Sequence, residues 1–303
     1  MSDISNIVQR INSLKQERGA VILAHNYQLG ETQDIADFVG DSLELSRQAA
    51  HSQANVIVFC GVHFMAETAY ILSPQKSVLL PDSHAGCPMA DMINAEELRV
   101  KKQELPGVPV VCYVNSSAAV KAESDICCTS ANAVKIVESL PQQEILFIPD
   151  QYLGQWVSSQ TDKKLHLWPG FCPTHSRILP QHIVELKERY PQAKVIVHPE
   201  CPPEISNLAD AVPSTSGMLR YAKQSDAQQI IVGTEIGLLH RMRQEIPDKE
   251  FIHINPQVVC PNMKLTTLDK VLQCLENMQP LVTVPEDIRI RAYTAVERML
   301  QVG

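Results

Sequence analysis

The chain has 303 residues, 45% of them apolar and 20% charged, with a formal net charge of −8. Such a composition belongs to a globular protein, and the negative charge argues against general nucleic-acid binding, which leaves a basic footprint. No apolar run reaches the roughly 18 residues that would suggest a membrane span.

The first segment, MSDISNIVQRINSLKQERG, reads as an amphipathic helix with Ile4, Ile7, Val8, Ile11 and Leu14 on one face. It lacks the basic start and apolar centre of a secretion signal, so a cytoplasmic protein is expected. A strand follows at 21–27, then a helical pattern opening at Ser42, a strand at 56–60, a helix at 63–72 and a strand at 77–81. The series closes on Cys87-Pro88.

The same order then repeats. A helix around 89–105 leads to a strand at 110–115, a helix opening at Ser130, a strand at 144–148, a helix at 151–160, a strand at 164–168 and Cys172-Pro173. A helix around 174–190 leads to a strand at 195–200, a helix opening at Thr215, a strand at 229–233, a helix at 236–246, a strand at 251–255 and Cys260-Pro261. Helical patches at 266–278 and 286–300 end the chain.

Repeats of this length are the first thing to establish about a fold. The three cysteine-proline pairs stand 85 and 88 residues apart, and Ser42, Ser130 and Thr215 each follow a strand-end residue (His25, Tyr113, His198) by 17 residues. Strands alternating with helices imply parallel sheets. The fold class expected is therefore α/β. It comprises three pseudo-threefold units, each a small three-stranded parallel sheet flanked by helices, around a central active site. Unit one covers 1–88 with the C-terminal segment 262–303 packed on it, unit two 89–173, and unit three 174–261.

Ligands of parallel α/β units bind beyond the carboxyl ends of the strands. Those ends carry His25 and Tyr27, Tyr113 and Asn115, His198 and Glu200. Ser42, Ser130 and Thr215 read as caps whose free helix amides suit carboxylates or phosphate. The equivalent cysteines Cys87, Cys172 and Cys260 would bring three thiolates to one centre, each at a helix start favoured by the following proline. Three ligands leave a metal one position short, which catalysis uses. Spacing alone leaves zinc and an iron–sulfur cluster both open, although no CxxC or HxxxH pattern offers zinc a fourth ligand. Cys60, Cys112, Cys127, Cys128 and Cys274 read as buried thiols. Cys201-Pro202 follows a first strand rather than a third, so its register argues against ligation.

The motifs AHNYQ at 24–28, GDSLELS at 40–46, AGCPMAD at 85–91, YVNSS at 113–117, CCTSANA at 127–133, PGFCPTH at 169–175, HPEC at 198–201, STSGM at 214–218, GTE at 233–235 and CPNMK at 260–264 carry a further signal. Together, and in this order, they resemble the quinolinate synthase family over nearly the whole chain. The resemblance implies one [4Fe-4S] cluster on Cys87, Cys172 and Cys260. It implies condensation of iminoaspartate with dihydroxyacetone phosphate, losing phosphate and water, in NAD biosynthesis. Substrate contacts would come from His25, Ser42, Tyr113, Asn115, Ser130, His175, His198, Glu200 and Thr215, with Tyr27, Glu200 and His198 in catalytic roles. A transient contact with an aspartate-oxidising enzyme is also implied. Cys260 lacks the CxxCxxC extension of some members, so no local disulfide switch is expected there. Two other families share a three-cysteine, three-unit plan, the hydroxymethylbutenyl diphosphate reductases and the diphthamide-forming radical enzymes. The HNYQ, YVNS and HPEC motifs separate the chain from both. An iron–sulfur sensor is the non-enzymatic alternative, and the converging His, Tyr, Glu and Ser residues argue against it.

Overall fold

The structure, a computed structural model, describes residues 3–302. Met1 and Ser2 of the expected first helix lie outside the described residues. Among those described, no helix is long and apolar enough to cross a membrane.

Three separate parallel sheets follow one another along the chain. The first holds β1 (Ala20–His25), β2 (Phe38–Gly40), β3 (Val56–Cys60) and β4 (Ser77–Leu79), in the order β2-β1-β3-β4. The second holds β5 (Val110–Tyr113), β6 (Ile126–Cys128), β7 (Glu144–Ile148) and β8 (Lys164–Leu167), in the order β6-β5-β7-β8. The third holds β9 (Lys194–Val197), β10 (Gln229–Gly233) and β11 (Glu250–His253), in the order β11-β10-β9. The expected three strands per sheet are thus correct only for the third. In the first two, β2 and β6 add a short edge strand of three residues each. The third sheet keeps a single parallel bridge, Ile196 to Ala211, where that strand would lie. Central strands such as VIVFC in β3 are buried throughout, as sheets covered on both faces require.

Two polar devices recur in all three units. An aspartate fifteen residues after a first-strand residue accepts that residue's backbone N–H: Asp37 from Ile22 at 2.8 Å, Asp125 from Val110 at 2.7 Å and Asp210 from Val195 at 2.8 Å. It satisfies a strand donor that finds no partner in a neighbouring strand. A lysine before β4, β8 and β11 donates to carbonyls at the end of helix Ser42–His51, Ala133–Ser139 and Thr215–Gln224, respectively. Lys76 reaches Ala49 and Ser52, Lys163 reaches Val137 and Leu140, and Lys249 reaches Ala222 and Ser225. A cation there completes the orphaned carbonyls and suits the negative end of the helix dipole.

The C-terminal segment divides its packing. Helix Leu268–Asn277 lies on the N-terminal helix and β3 of the first unit. Helix Glu286–Val302 lies chiefly on helix Ala118–Ala122 and β6 of the second unit, with a smaller contact to helix His63–Leu72. The expectation that all of 262–303 covers unit one is corrected accordingly. The alternation of apolar positions on Glu286–Val302 fits both neighbours, burying Ala292, Ala295, Val296 and Met299.

Candidate active site

A cavity of about 190 Å³ opens where the carboxyl ends of β1, β5 and β9 converge. All thirteen predicted site residues line it: His25, Tyr27, Ser42, Cys87, Tyr113, Asn115, Ser130, Cys172, His175, His198, Glu200, Thr215 and Cys260. Cys201 is 1% exposed in the core of the third unit and does not line the cavity.

Glu200 is the centre of the polar network. Its Oε1 accepts from the Tyr113 hydroxyl and, at 3.3 Å, from Asn115 Nδ2. Its Oε2 lies 2.8 Å from His175 Nδ1, and the His175 ring stacks on His198 with centroids 4.7 Å apart. Burial works against the charge on Glu200, but the contacts of its carboxylate with His175 and the Tyr113 hydroxyl hold it below the usual range. Glu200 is therefore an anion. Burial first, then the Glu200 charge, pushes the phenols of Tyr27 and Tyr113 well above their ordinary value, so both stay protonated donors. Asn115 Oδ1 has no protein partner among the described residues.

His25 and His198 share one local geometry. Each accepts on Nδ1 the backbone N–H two residues on, from Tyr27 at 3.2 Å and from Glu200 at 3.3 Å. That bond fixes the proton on Nε2. Burial lowers both side chains to about 3, so both imidazoles are neutral donors.

The helix starts differ from expectation by one residue. Ser42 and Thr215 are the first helical residues, and the caps are Asp41 and Ser214. Asp41 Oδ1 already accepts from the N–H groups of Leu43 and Glu44, so those amides are not free for an anion. Ser130 precedes a seven-residue helix, Ala133–Ser139, and caps nothing. Thr215 Oγ1 accepts from Asn26 Nδ2 at 2.9 Å, leaving its own proton to donate.

The cysteine-proline pairs also depart from a plain helix start. Each enters a single 3₁₀ turn, at Ala90–Met92, His175–Arg177 and Asn262–Lys264. The turns still aim amides at sulfur: from Ala90 and Met89 to Cys87, from His175 to Cys172, and from Met263 and Asn262 to Cys260. Burial outweighs these amides and pushes the thiols up, Cys87 to about 12. Thiols so placed lose their protons readily only to a soft cation. Gly170 lets the loop before Cys172 close down, since a Cβ there would meet the Pro149 oxygen at 2.5 Å. A second group able to hold a metal is Cys172, His175 and Glu200, whose ligand atoms lie within 4.8 Å of one another. There, however, His175 and Glu200 already satisfy each other.

Sequence reasoning overlooked Arg177, among the described residues the one arginine or lysine lining the cavity. It ends the turn after Cys172, and the turn's geometry brings it to the site.

The family model described as Quinolinate synthetase A protein matches residues 9–301. The chain belongs to the quinolinate synthetase A family. It is 64% identical over 296 residues to the quinolinate synthase of Dehalococcoides mccartyi (strain CBDB1), covering 98% of each chain. It is 59% identical to the quinolinate synthase of Geobacter sp. (strain M21), covering 96% of each. It is 54% identical to quinolinate synthase 1 of Methanosarcina acetivorans, covering 98% of each. Membership in the quinolinate synthetase A family makes the Glu200 cavity the candidate active site of an enzyme.

Proposed function

We propose that the chain condenses iminoaspartate with dihydroxyacetone phosphate to quinolinate, with loss of phosphate and water, as a step toward NAD. The observation that carries this reading is the convergence on one cavity of an ionised Glu200, two protonated phenols and two neutral imidazole donors.

Cys87, Cys172 and Cys260 would hold one [4Fe-4S] cluster. The donor set fits, because three sulfurs face the cavity and receive turn amides, while among the described residues no fourth cysteine lines it. When bound, such a cluster supplies a Lewis acid at the iron without a cysteine.

The remaining chemistry belongs to side chains of the chain. Nε2–H of His25 and of His198, with the Thr215, Ser42 and Ser130 hydroxyls, bind carboxylate and phosphate oxygens. Asn115 Oδ1 accepts from the substrate nitrogen. Glu200 takes the carbon-bound proton beside the imine. Every donor that turns from Glu200 to substrate raises the basicity of that carboxylate. The Tyr27 phenol delivers a proton to the departing hydroxyl, work suited to a group that is protonated at neutral pH. Aspartate oxidation by a transiently docked enzyme would supply the imine.

The test is anaerobic. Protein reconstituted with iron and sulfide receives dihydroxyacetone phosphate and freshly generated iminoaspartate, and quinolinate is quantified by chromatography. Product is expected to form in proportion to cluster content. Absence of product from protein with an intact cluster spectrum would overturn the reading.

A further inference from the structure

Among the described residues, three Asp, Glu, Lys or Arg side chains line the cavity: Asp41, Glu200 and Arg177. The two acids are buried, whereas Arg177 is exposed although it lines the same space. A side chain that meets both the interior and the solvent stands at the mouth. The guanidiniums of Arg99, Arg241 and Arg291 are each held by a carboxylate, and that of Arg177 has no such partner among the described residues. Lys264 directly follows the lining residues Asn262 and Met263, but its ammonium is taken by the Tyr27 carbonyl and by Glu235.

The position of Arg177 follows from its turn. It closes the 3₁₀ turn His175–Arg177, with its own N–H on the Thr174 carbonyl at 3.3 Å. His175, at the other end of that turn, is buried with Nδ1 on Glu200. One short turn therefore sets an imidazole in the interior and a guanidinium at the opening, two residues apart.

The field around the opening gives that guanidinium a task. The proposed substrates are anions, the chain carries a formal charge of −8, and Glu200 is an anion at the cavity's centre. An approaching anion is repelled by both, and a cation at the mouth offsets that repulsion during encounter. A guanidinium fork matches two phosphate oxygens, and at an exposed site it acts on association more than on held affinity. We propose that Arg177 is a capture residue, taking the phosphate monoester of the incoming triose phosphate before the donors inside receive it. This inference rests on the proposed synthase reading. Phosphate is favoured over the carboxylates of the other substrate because it concentrates about two charges on one group. It is also the group expelled in the reaction, so it passes the mouth twice.

The experiment compares reconstituted holoenzyme carrying Arg177→Gln, which removes the charge, with Arg177→Lys, which keeps the charge without the fork. Kinetics are read for each substrate with the other saturating, at low and at high salt. At low salt Arg177→Gln should lose about tenfold in kcat/KM for dihydroxyacetone phosphate, and Arg177→Lys less than about threefold. The gap between parent and Arg177→Gln should close between about 0.01 M and 1 M salt, as the Debye length falls from about 30 Å to about 3 Å. In both variants kcat, and kcat/KM for iminoaspartate, should stay within about threefold of the parent. Inorganic phosphate serves as the binding probe, and its inhibition constant should rise several-fold in Arg177→Gln. An unchanged kcat/KM in Arg177→Gln, an equal loss for both substrates, a loss carried by kcat, a gap that salt leaves intact, or unaltered phosphate inhibition would each overturn the proposal. If Arg177→Gln takes up no cluster, Arg177→Ala goes through the same measurements. Parent enzyme that forms no quinolinate sinks the synthase reading itself, whereas an active parent with indifferent variants sinks only the role of Arg177.

Discussion

The backbone N–H of Glu200 lies 3.3 Å from Nδ1 of His198, so the residue that bears the site's charge also sets the tautomer of the imidazole beside it. The same i to i+2 bond joins Tyr27 to His25. Both rings are buried and neutral, lowered to about 3 from 6.5. A depressed histidine favours folding fully above its unfolded value, and that share is lost as pH falls from about 6.5 toward 3. Each ring should contribute up to about 1.4 kcal/mol per pH unit within that window. Urea midpoints of the cluster-free protein, taken from neutral to mildly acid pH, should therefore fall. The fall should be shallower in His25→Gln and in His198→Gln. An unaltered slope in both variants contradicts neutral rings.

Glu200→Gln retains the shape and an acceptor for Tyr113 but removes the charge. Loss of a general base of this kind costs about 10²- to 10⁴-fold, so kcat should drop by that order while cluster absorbance stays. Unchanged turnover would remove Glu200 from the proton transfer.

Cys201 separates register from composition. It is buried in the third unit, with its thiol 3.7 Å from the Gly233 carbonyl. Cys201→Ser should keep the cluster absorbance. Cys87→Ser, Cys172→Ser and Cys260→Ser should each lose it after identical reconstitution. A fully retained cubane in any of the three would contradict the ligand set.

Asp125 tests the strand clasp away from the cavity. Asp125→Ala leaves the Val110 N–H without its side-chain acceptor. A stranded buried donor costs about 1–3 kcal/mol, which should shift the denaturation midpoint with kcat and KM unmoved. A midpoint equal to the parent's would show that solvent replaces the carboxylate.

Much of this architecture was legible because buried parallel strands advertise themselves as short β-branched runs. The runs at 56–60, 144–148 and 229–233 match β3, β7 and β10 residue for residue. β2 and β6 escaped notice since three residues are too few for a period to show. The clasping aspartates were visible in principle, each fifteen positions beyond a first-strand residue, but a lone Asp before an apolar residue reads as an ordinary turn. Caps slipped by one position because Asp41-Ser42 and Ser214-Thr215 each present two adjacent residues that cap well, and only backbone geometry chooses between them. Thr234, whose Oγ1 lies 2.6 Å from the Tyr27 hydroxyl and 2.9 Å from His175 Nε2, was hidden for another reason. Its partners lie 207 and 59 residues away, beyond the reach of any local pattern.

The three cavity-facing sulfurs enter the polypeptide at positions 87, 172 and 260. During synthesis, a growing chain offers one sulfur, then two, and completes the trio only when six-sevenths of its length has been made. Iron delivered early would find no competent receptor, and a product broken off before the last turn could never be charged. Maturation of the centre would thus act as a built-in inspection that the polypeptide has been made past Cys260 and its three units brought together.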